Sequence, residues 1–133
     1  MTAGEKRILI VDDDRDFAEA LSCFLEANHF TVRKARDGKE GVQMAKLERP
    51  DLILMDIMMG ERTEGIFTIQ EIRRAAALKD VPIFVLSSLY GQVPEFKTAP
   101  DSGWLAQDEF LPKPVDMGSL LEKIRQRLGA AAG

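Results

Sequence analysis

The chain of 133 residues has the composition of a soluble globular protein, with 45% hydrophobic and 30% charged residues. Its net charge of −4 disfavours a general nucleic-acid surface, which needs clustered Lys and Arg. No apolar run approaches the roughly 20 residues of a membrane span, and no signal peptide is visible. These features favour a cytoplasmic protein, away from membranes and nucleic acid, with residues 1–133 in a single domain.

Four apolar runs have the pattern of buried strands, and each run ends at a polar residue. They are 8–11, followed by Asp12, Asp13 and Asp14; 52–55, followed by Asp56; 83–86, followed by Ser87; and 110–112, followed by Lys113. A fifth, more polar strand is predicted over residues 30–35. Helical patterns lie between the strands, which indicates βαβ units and a parallel sheet covered by helices on both faces.

The predicted helices are read from apolar residues at helical spacing. After the acidic run, Asp14 or Asp16 can cap the first helix. Asp37 and Gly38 predict a turn before the second. The apolar positions are Phe17, Leu21, Phe24 and Leu25 in the first helix; Val42, Ala45 and Leu47 in the second; Ile66, Ile69, Ile72 and Ala76 in the third; and Leu120, Leu121, Ile124 and Leu128 in the last. Cys23, the single cysteine, is expected to be a small buried residue of the first helix.

The polar residues after the strands predict a site at one edge of the sheet. In open α/β sheets, ligands bind outside the carboxyl ends of the strands. Asp12, Asp13 and Asp56 would repel one another there unless a cation lay between them, and such oxygen ligands suit Mg²⁺. Acids after a strand can also merely cap the next helix, which is an even alternative for Asp12 and Asp13. It is weaker for Asp56, because apolar residues follow it.

Ser87 and Lys113 would complete this site as partners for a phosphoryl group. Lys113 lies between two prolines, which stiffen its backbone, and a rigid ammonium can neutralise charge on a transferred phosphoryl group. Taken alone, a strand-end lysine is more often a solvated charge, and a serine there a simple strand terminator. The joint placement on four strand ends is the specific signal.

With these landmarks the chain resembles the receiver domain of two-component response regulators over about residues 6–128. The resemblance implies a flavodoxin-like, doubly wound α/β fold with a five-stranded parallel sheet in the order 2-1-3-4-5. It implies a signalling domain, not an enzyme, that catalyses only its own phosphorylation and dephosphorylation. A histidine kinase or phosphotransfer protein would be the donor, and an unidentified protein the target. A stand-alone response regulator is expected, as a monomer or weak dimer.

The resemblance also implies a role for each site residue. Asp56 would accept the phosphoryl group. Mg²⁺ would be held by Asp13, Asp56 and the backbone carbonyl of Met58, with Asp12 acting largely through water. Ser87 and Lys113 would contact the phosphoryl oxygens, with Ser87 and Phe110 as the switch residues.

The chain departs from many receivers in two segments. Residues 58–65 lack the Met-Pro-Gly that often follows the acceptor, and residues 89–107 are longer than usual. Pro94 and Pro100 each remove an amide donor, so the helix between the fourth and fifth strands is expected to be short or irregular. Neither departure removes a site residue.

Three other functional classes compete with the phosphoacceptor switch. An adaptor that binds partners without phosphorylation would not need the complete set of site residues. A Mg²⁺-dependent phosphatase with an aspartyl nucleophile would normally need an acid/base carboxylate where this chain has Met58. A nucleotide-binding flavodoxin-like protein would want glycines in the first loop, which instead carries three acids.

Overall fold

In this computed structural model, residues 6–56, 64–87, 109–112 and 115–128 are described, without the side chains of residues 64–67, 87, 110 and 112. The strands are β1 (Arg7–Val11), β2 (Thr31–Ala35), β3 (Leu52–Asp56), β4 (Ile83–Ser87) and β5 (Glu109–Pro112). All neighbouring pairs are parallel, in the order β2-β1-β3-β4-β5. The predicted five-stranded sheet and its strand order are confirmed, and the fold is flavodoxin-like.

Helices cover both faces of this sheet. They are α1 (Arg15–Ala27), α2 (Gly38–Glu48), α3 (Glu64–Arg74) and α4 (Met117–Leu128), with a 3₁₀ turn at Ala76–Leu78 after α3. None of the helices within the described ranges is long and apolar enough to cross a membrane. The segment 89–107, for which a short or irregular helix is expected, lies outside the described residues.

The core has two halves, one on each face of the sheet, because successive strand residues point in opposite directions. In β1, Leu9 and Val11 pack with α2 and α3, whereas Ile8 and Ile10 pack with α1 and α4. All five residues of β3 are buried. Burial on both faces is why β1, β3 and β4 read as nearly continuous apolar runs in the sequence.

Among the side chains that the structure describes, Leu47 and Ala76 depart from the predicted apolar faces, and Cys23 departs from its predicted burial. Cys23 is exposed, and Leu47 retains 79% of its accessible surface. Each lies two residues, or about 200° around a helix, from a buried neighbour, Leu21 and Ala45 respectively. Ala76 is exposed because α3 ends at Arg74 and Ala76 begins the 3₁₀ turn. The predicted burial of Cys23 and Leu47 was therefore wrong, because helical phase turns both side chains away from the buried face.

The helix starts follow from acidic caps. Asp14 accepts the backbone N–H of Phe17 at 3.1 Å, as predicted for α1. Asp37, predicted only as part of a turn, accepts the N–H of Glu40 at 2.8 Å and caps α2. At α4, Asp116 accepts the Ser119 hydroxyl at 2.6 Å, which lowers the pKa of the Asp116 carboxyl. These caps fix where each helix leaves the carboxyl edge of the sheet.

Gly41 permits α2 to lie close to the sheet. A Cβ at this position would meet Cγ1 and Cγ2 of the fully buried Val11 at 2.9 Å each. Gly118 in α4 has nothing within 4 Å of such a Cβ. At Gly41, α2 thus packs tightly against the last residue of β1, just before the acidic run.

We therefore expect Gly41→Ala and Gly118→Ala to change stability in opposite directions. Overpacking at Gly41 costs roughly 1–3 kcal/mol, more than the gain of up to about 1 kcal/mol in helix propensity. At Gly118 only the propensity gain remains. Urea unfolding of the two variants should show Gly41→Ala less stable, and Gly118→Ala more stable, than the parent chain. Equal stabilisation by both substitutions would contradict the close packing against Val11.

Candidate functional site

Strand register brings the polar residues at the carboxyl ends of β1, β3 and β4 to the same edge of the sheet. Val11 lies opposite Met55, so Asp12 follows β1 beside Asp56, the last residue of β3. Asp56 in turn lies opposite Leu86, one residue before Ser87. The carboxyl ends of the strands therefore gather these positions as the sequence predicted.

Ser87 and Phe110 lie at defined positions in the sheet. Ser87 is opposite Pro112, and Phe110 is opposite Val85. The side chains of Ser87 and Phe110, like Met58 and Lys113 as whole residues, lie outside the described part of the chain. The predicted roles of these four residues consequently stay predictions.

Asp12, Asp13 and Asp56 form a carboxylate cluster. One carboxylate oxygen from each residue lies within 4.8 Å of those from the other two. Asp12 and Asp56 are buried, with 3% and 6% of their surface accessible, whereas Asp13 is exposed. Ionised carboxylates this close repel one another, and burial increases the cost of their charge. Such a cluster suits a hard divalent cation, for which carboxylate oxygens are the preferred protein ligands.

The residues of the acidic run make different contacts. The N–H of Asp12 donates to Ala35 at the end of β2 (3.1 Å), which fixes the backbone where β1 ends. The Asp12 carboxylate accepts the N–H of Asp14 at 2.9 Å, and Asp14 caps α1 through Phe17. Asp14 is thus the residue whose side chain caps α1. The hydrogen bond from the Asp14 N–H to the Asp12 carboxylate was not predicted, because a sequence does not show where a backbone N–H donates.

A charged groove next to Asp12 was also missed. It lies between the start of α1, the end of β2 and the start of α2, and its cations are Arg15, Lys34 and Arg36. Looking for the polar residue that follows β2, as was done for the other strands, could have found Arg36, because β2 neighbours β1 in the sheet.

Comparison with known proteins agrees with this geometry. Residues 8–125 match the model of the response regulator receiver domain. The response regulator MprA of Mycobacterium ulcerans is 38% identical over 122 residues, which cover 92% of this chain and 50% of MprA. The DNA-binding dual master transcriptional regulator RpaA of Synechocystis is 35% identical, over 92% of this chain and 48% of RpaA. This chain spans about half the length of these two relatives.

Solved structures extend the similarity to the fold. The chemotaxis protein CheY4 of Vibrio cholerae has a TM-score of 0.81 at 25% identity, covering 92% of this chain and 98% of that one. A CheY-like receiver domain protein of Methanospirillum hungatei has a TM-score of 0.80 at 25% identity, covering 95% of each chain. The chain belongs to the receiver domain family of two-component response regulators, and it is a signalling domain.

Proposed function

We propose that this chain is a phosphoacceptor switch in which Asp56 takes a phosphoryl group from a histidine kinase or phosphotransfer protein. The observation that carries the proposal is the carboxylate cluster, in which buried Asp56 ends β3 beside Asp12 and Asp13. Family membership supports the same reading. We further propose that residues 6–128 form one receiver domain, acting in the cytoplasm as a monomer or weak dimer.

The transfer step needs one nucleophile and one leaving group. A carboxylate oxygen of Asp56 attacks the phosphorus of the donor phosphohistidine and forms a new O–P bond. The P–N bond breaks, and its electron pair returns to the imidazole nitrogen. The other ring nitrogen of the donor carries a proton, so the products are an aspartyl phosphate and a neutral histidine. Burial of Asp56 limits the number of waters that compete for the phosphoryl group.

Mg²⁺ is the cofactor that best fits the cluster. Asp13, Asp56 and the backbone carbonyl of Met58 would hold it, and Asp12 would act largely through water. When bound, Mg²⁺ neutralises charge on the transferred phosphoryl oxygens. The anchored Asp12 carboxylate already accepts one amide, from Asp14, which is consistent with an indirect role.

Ser87 and Lys113 would bind the remaining phosphoryl oxygens. In support, Ser87 ends β4 one register position beyond the strand neighbour of Asp56, and Pro112 opposite Ser87 directly precedes Lys113. Movement of Lys113 towards the new charge would pull on β5, which carries Phe110. The downstream partner, an unidentified protein, would read the resulting change in surface.

Lys113→Ala is expected to separate phosphorylation from this conformational response. The variant should still accept a phosphoryl group, but phosphorylation should no longer change amide exchange in residues 109–111, because the link to β5 is lost. Lys79→Ala removes an exposed lysine near the opposite edge of the sheet and should keep the response. If amide exchange in Lys113→Ala still responds as in the parent, another element carries the signal.

One experiment distinguishes the switch from its two main competitors. The chain is incubated with acetyl phosphate, with and without Mg²⁺, and its intact mass is measured. One added phosphoryl group that requires Mg²⁺ supports the switch. No addition under either condition supports a phosphorylation-independent adaptor, and continuous phosphate release at enzyme-like rates supports an aspartyl phosphatase.

A further inference from the structure

The charged groove beside Asp12 has a volume of about 270 Å³ and opens next to the carboxylate cluster. Three cations and three acids line it: Arg15, Lys34 and Arg36, and Asp12, Glu19 and Glu40. Because Asp12 belongs to both the groove and the carboxylate cluster, a group bound in the groove would lie beside the proposed phosphorylation site.

Two of the three cations are neutralised by groove acids. The Lys34 ammonium donates a hydrogen bond to the Glu19 carboxylate, which raises the pKa of Lys34 and lowers that of Glu19. The Arg36 guanidinium lies 3.7 Å from Oε1 of Glu40, which also accepts the backbone N–H of Arg36 at 2.7 Å. Neither cation needs a ligand to balance its charge.

Arg15 differs from both. It is the exposed first residue of α1, and its side chain makes no hydrogen bond or ion pair within the described residues. A cation in the first turn of a helix is also disfavoured by the helix dipole. The described contacts therefore give Arg15 no stabilising role in the fold, although it contributes positive charge to the groove.

We propose that Arg15 binds an anionic oxygen of the phosphodonor in this groove while the phosphoryl group is delivered to Asp56. The inference rests on the proposed phosphoacceptor function and adds a donor-binding residue to it. A guanidinium binds phosphate or carboxylate oxygens through paired N–H donors, and its charge attracts anions into a cleft. The same charge repels Mg²⁺ from the neighbouring carboxylates. Arg15 should thus strengthen binding of the phosphodonor and weaken binding of Mg²⁺ to the free protein.

Arg15→Gln is therefore expected to have two opposite effects. At low salt it should lower the rate constant for phosphorylation by acetyl phosphate about two- to fivefold, at saturating Mg²⁺, and should tighten Mg²⁺ binding to the free protein by a similar factor. Arg15→Lys should keep the weaker Mg²⁺ binding and recover most of the rate. Both differences should shrink at about 0.5 M NaCl, where screening is strong.

Arg36→Gln is the matched control, since it removes a cation from the same groove that Glu40 already neutralises. We expect Arg36→Gln to leave the phosphorylation rate constant and the Mg²⁺ affinity close to those of the parent chain. Mass spectrometry gives the rate and calorimetry gives the Mg²⁺ affinity. An unchanged rate in Arg15→Gln, or the same pair of changes in Arg36→Gln, overturns the role of Arg15 while leaving the phosphoacceptor function intact. A parent chain that is not phosphorylated at all overturns both.

Discussion

Asp56→Asn abolishes Mg²⁺-dependent phosphorylation by acetyl phosphate if the proposed site is correct. Asparagine keeps the shape and burial of the side chain but has no carboxylate oxygen to attack phosphorus. Intact mass spectrometry should show one added phosphoryl group on the parent chain and none on the variant. The expected effect is a complete loss, because the carboxylate forms the new bond itself and no other group in the cluster ends a buried strand.

The matched control is Asp16→Asn. Asp16 is an exposed acid in the first turn of α1, close in sequence to the cluster but outside it. Phosphorylation of this variant should match the parent. Full labelling of Asp56→Asn at another side chain would show that the acceptor has been misassigned.

Asp13→Ala should weaken Mg²⁺ binding more than Asp12→Ala. Asp13 is assigned as a direct ligand, and losing it should reduce affinity more than about tenfold, or about 1.4 kcal/mol. The Asp12 carboxylate is held by the Asp14 amide and would reach the cation through water, so its loss should cost less. Calorimetric titration with Mg²⁺ measures both affinities.

A phosphate analogue such as beryllofluoride should tighten Mg²⁺ binding to the parent chain. Its anionic groups supply ligands and charge that the protein leaves to water in the free state. Asp12→Asn is a useful second variant, because it keeps an acceptor for the Asp14 amide and separates loss of charge from loss of that hydrogen bond. Equal, undiminished affinity in Asp12→Ala and Asp13→Ala would contradict the ligand assignment.

The sheet and the position of the site could be predicted because both depend on strong local patterns. Strands buried on two faces leave apolar runs, and the polar residue after each run marks the carboxyl edge. Asp12 and Asp56 therefore met as expected. Their separation along the chain was no obstacle, since parallel pairing aligns Val11 with Met55.

Other features depend on side-chain phase and tertiary contacts, which a sequence encodes weakly. Leu47 is apolar but points away from the core, as its separation from Ala45 requires. The hydrogen bond from the Asp14 N–H to the Asp12 carboxylate depends on a local turn. The Glu19–Lys34 ion pair joins α1 to β2. Arg15 could not be singled out from the sequence, because what distinguishes it is that the other groove cations, Lys34 and Arg36, form ion pairs with groove acids.

The most direct test of the central claim is chemical identification of the phosphorylated residue. The parent chain is treated with acetyl phosphate and Mg²⁺, the acyl phosphate is trapped by borohydride reduction, and the peptides are sequenced by tandem mass spectrometry. Reduction converts a phosphorylated aspartate to homoserine. We expect homoserine at position 56 alone, and only when Mg²⁺ is present. Homoserine at position 12 or 13, or none at position 56 in a chain that has gained a phosphoryl group, would contradict the account.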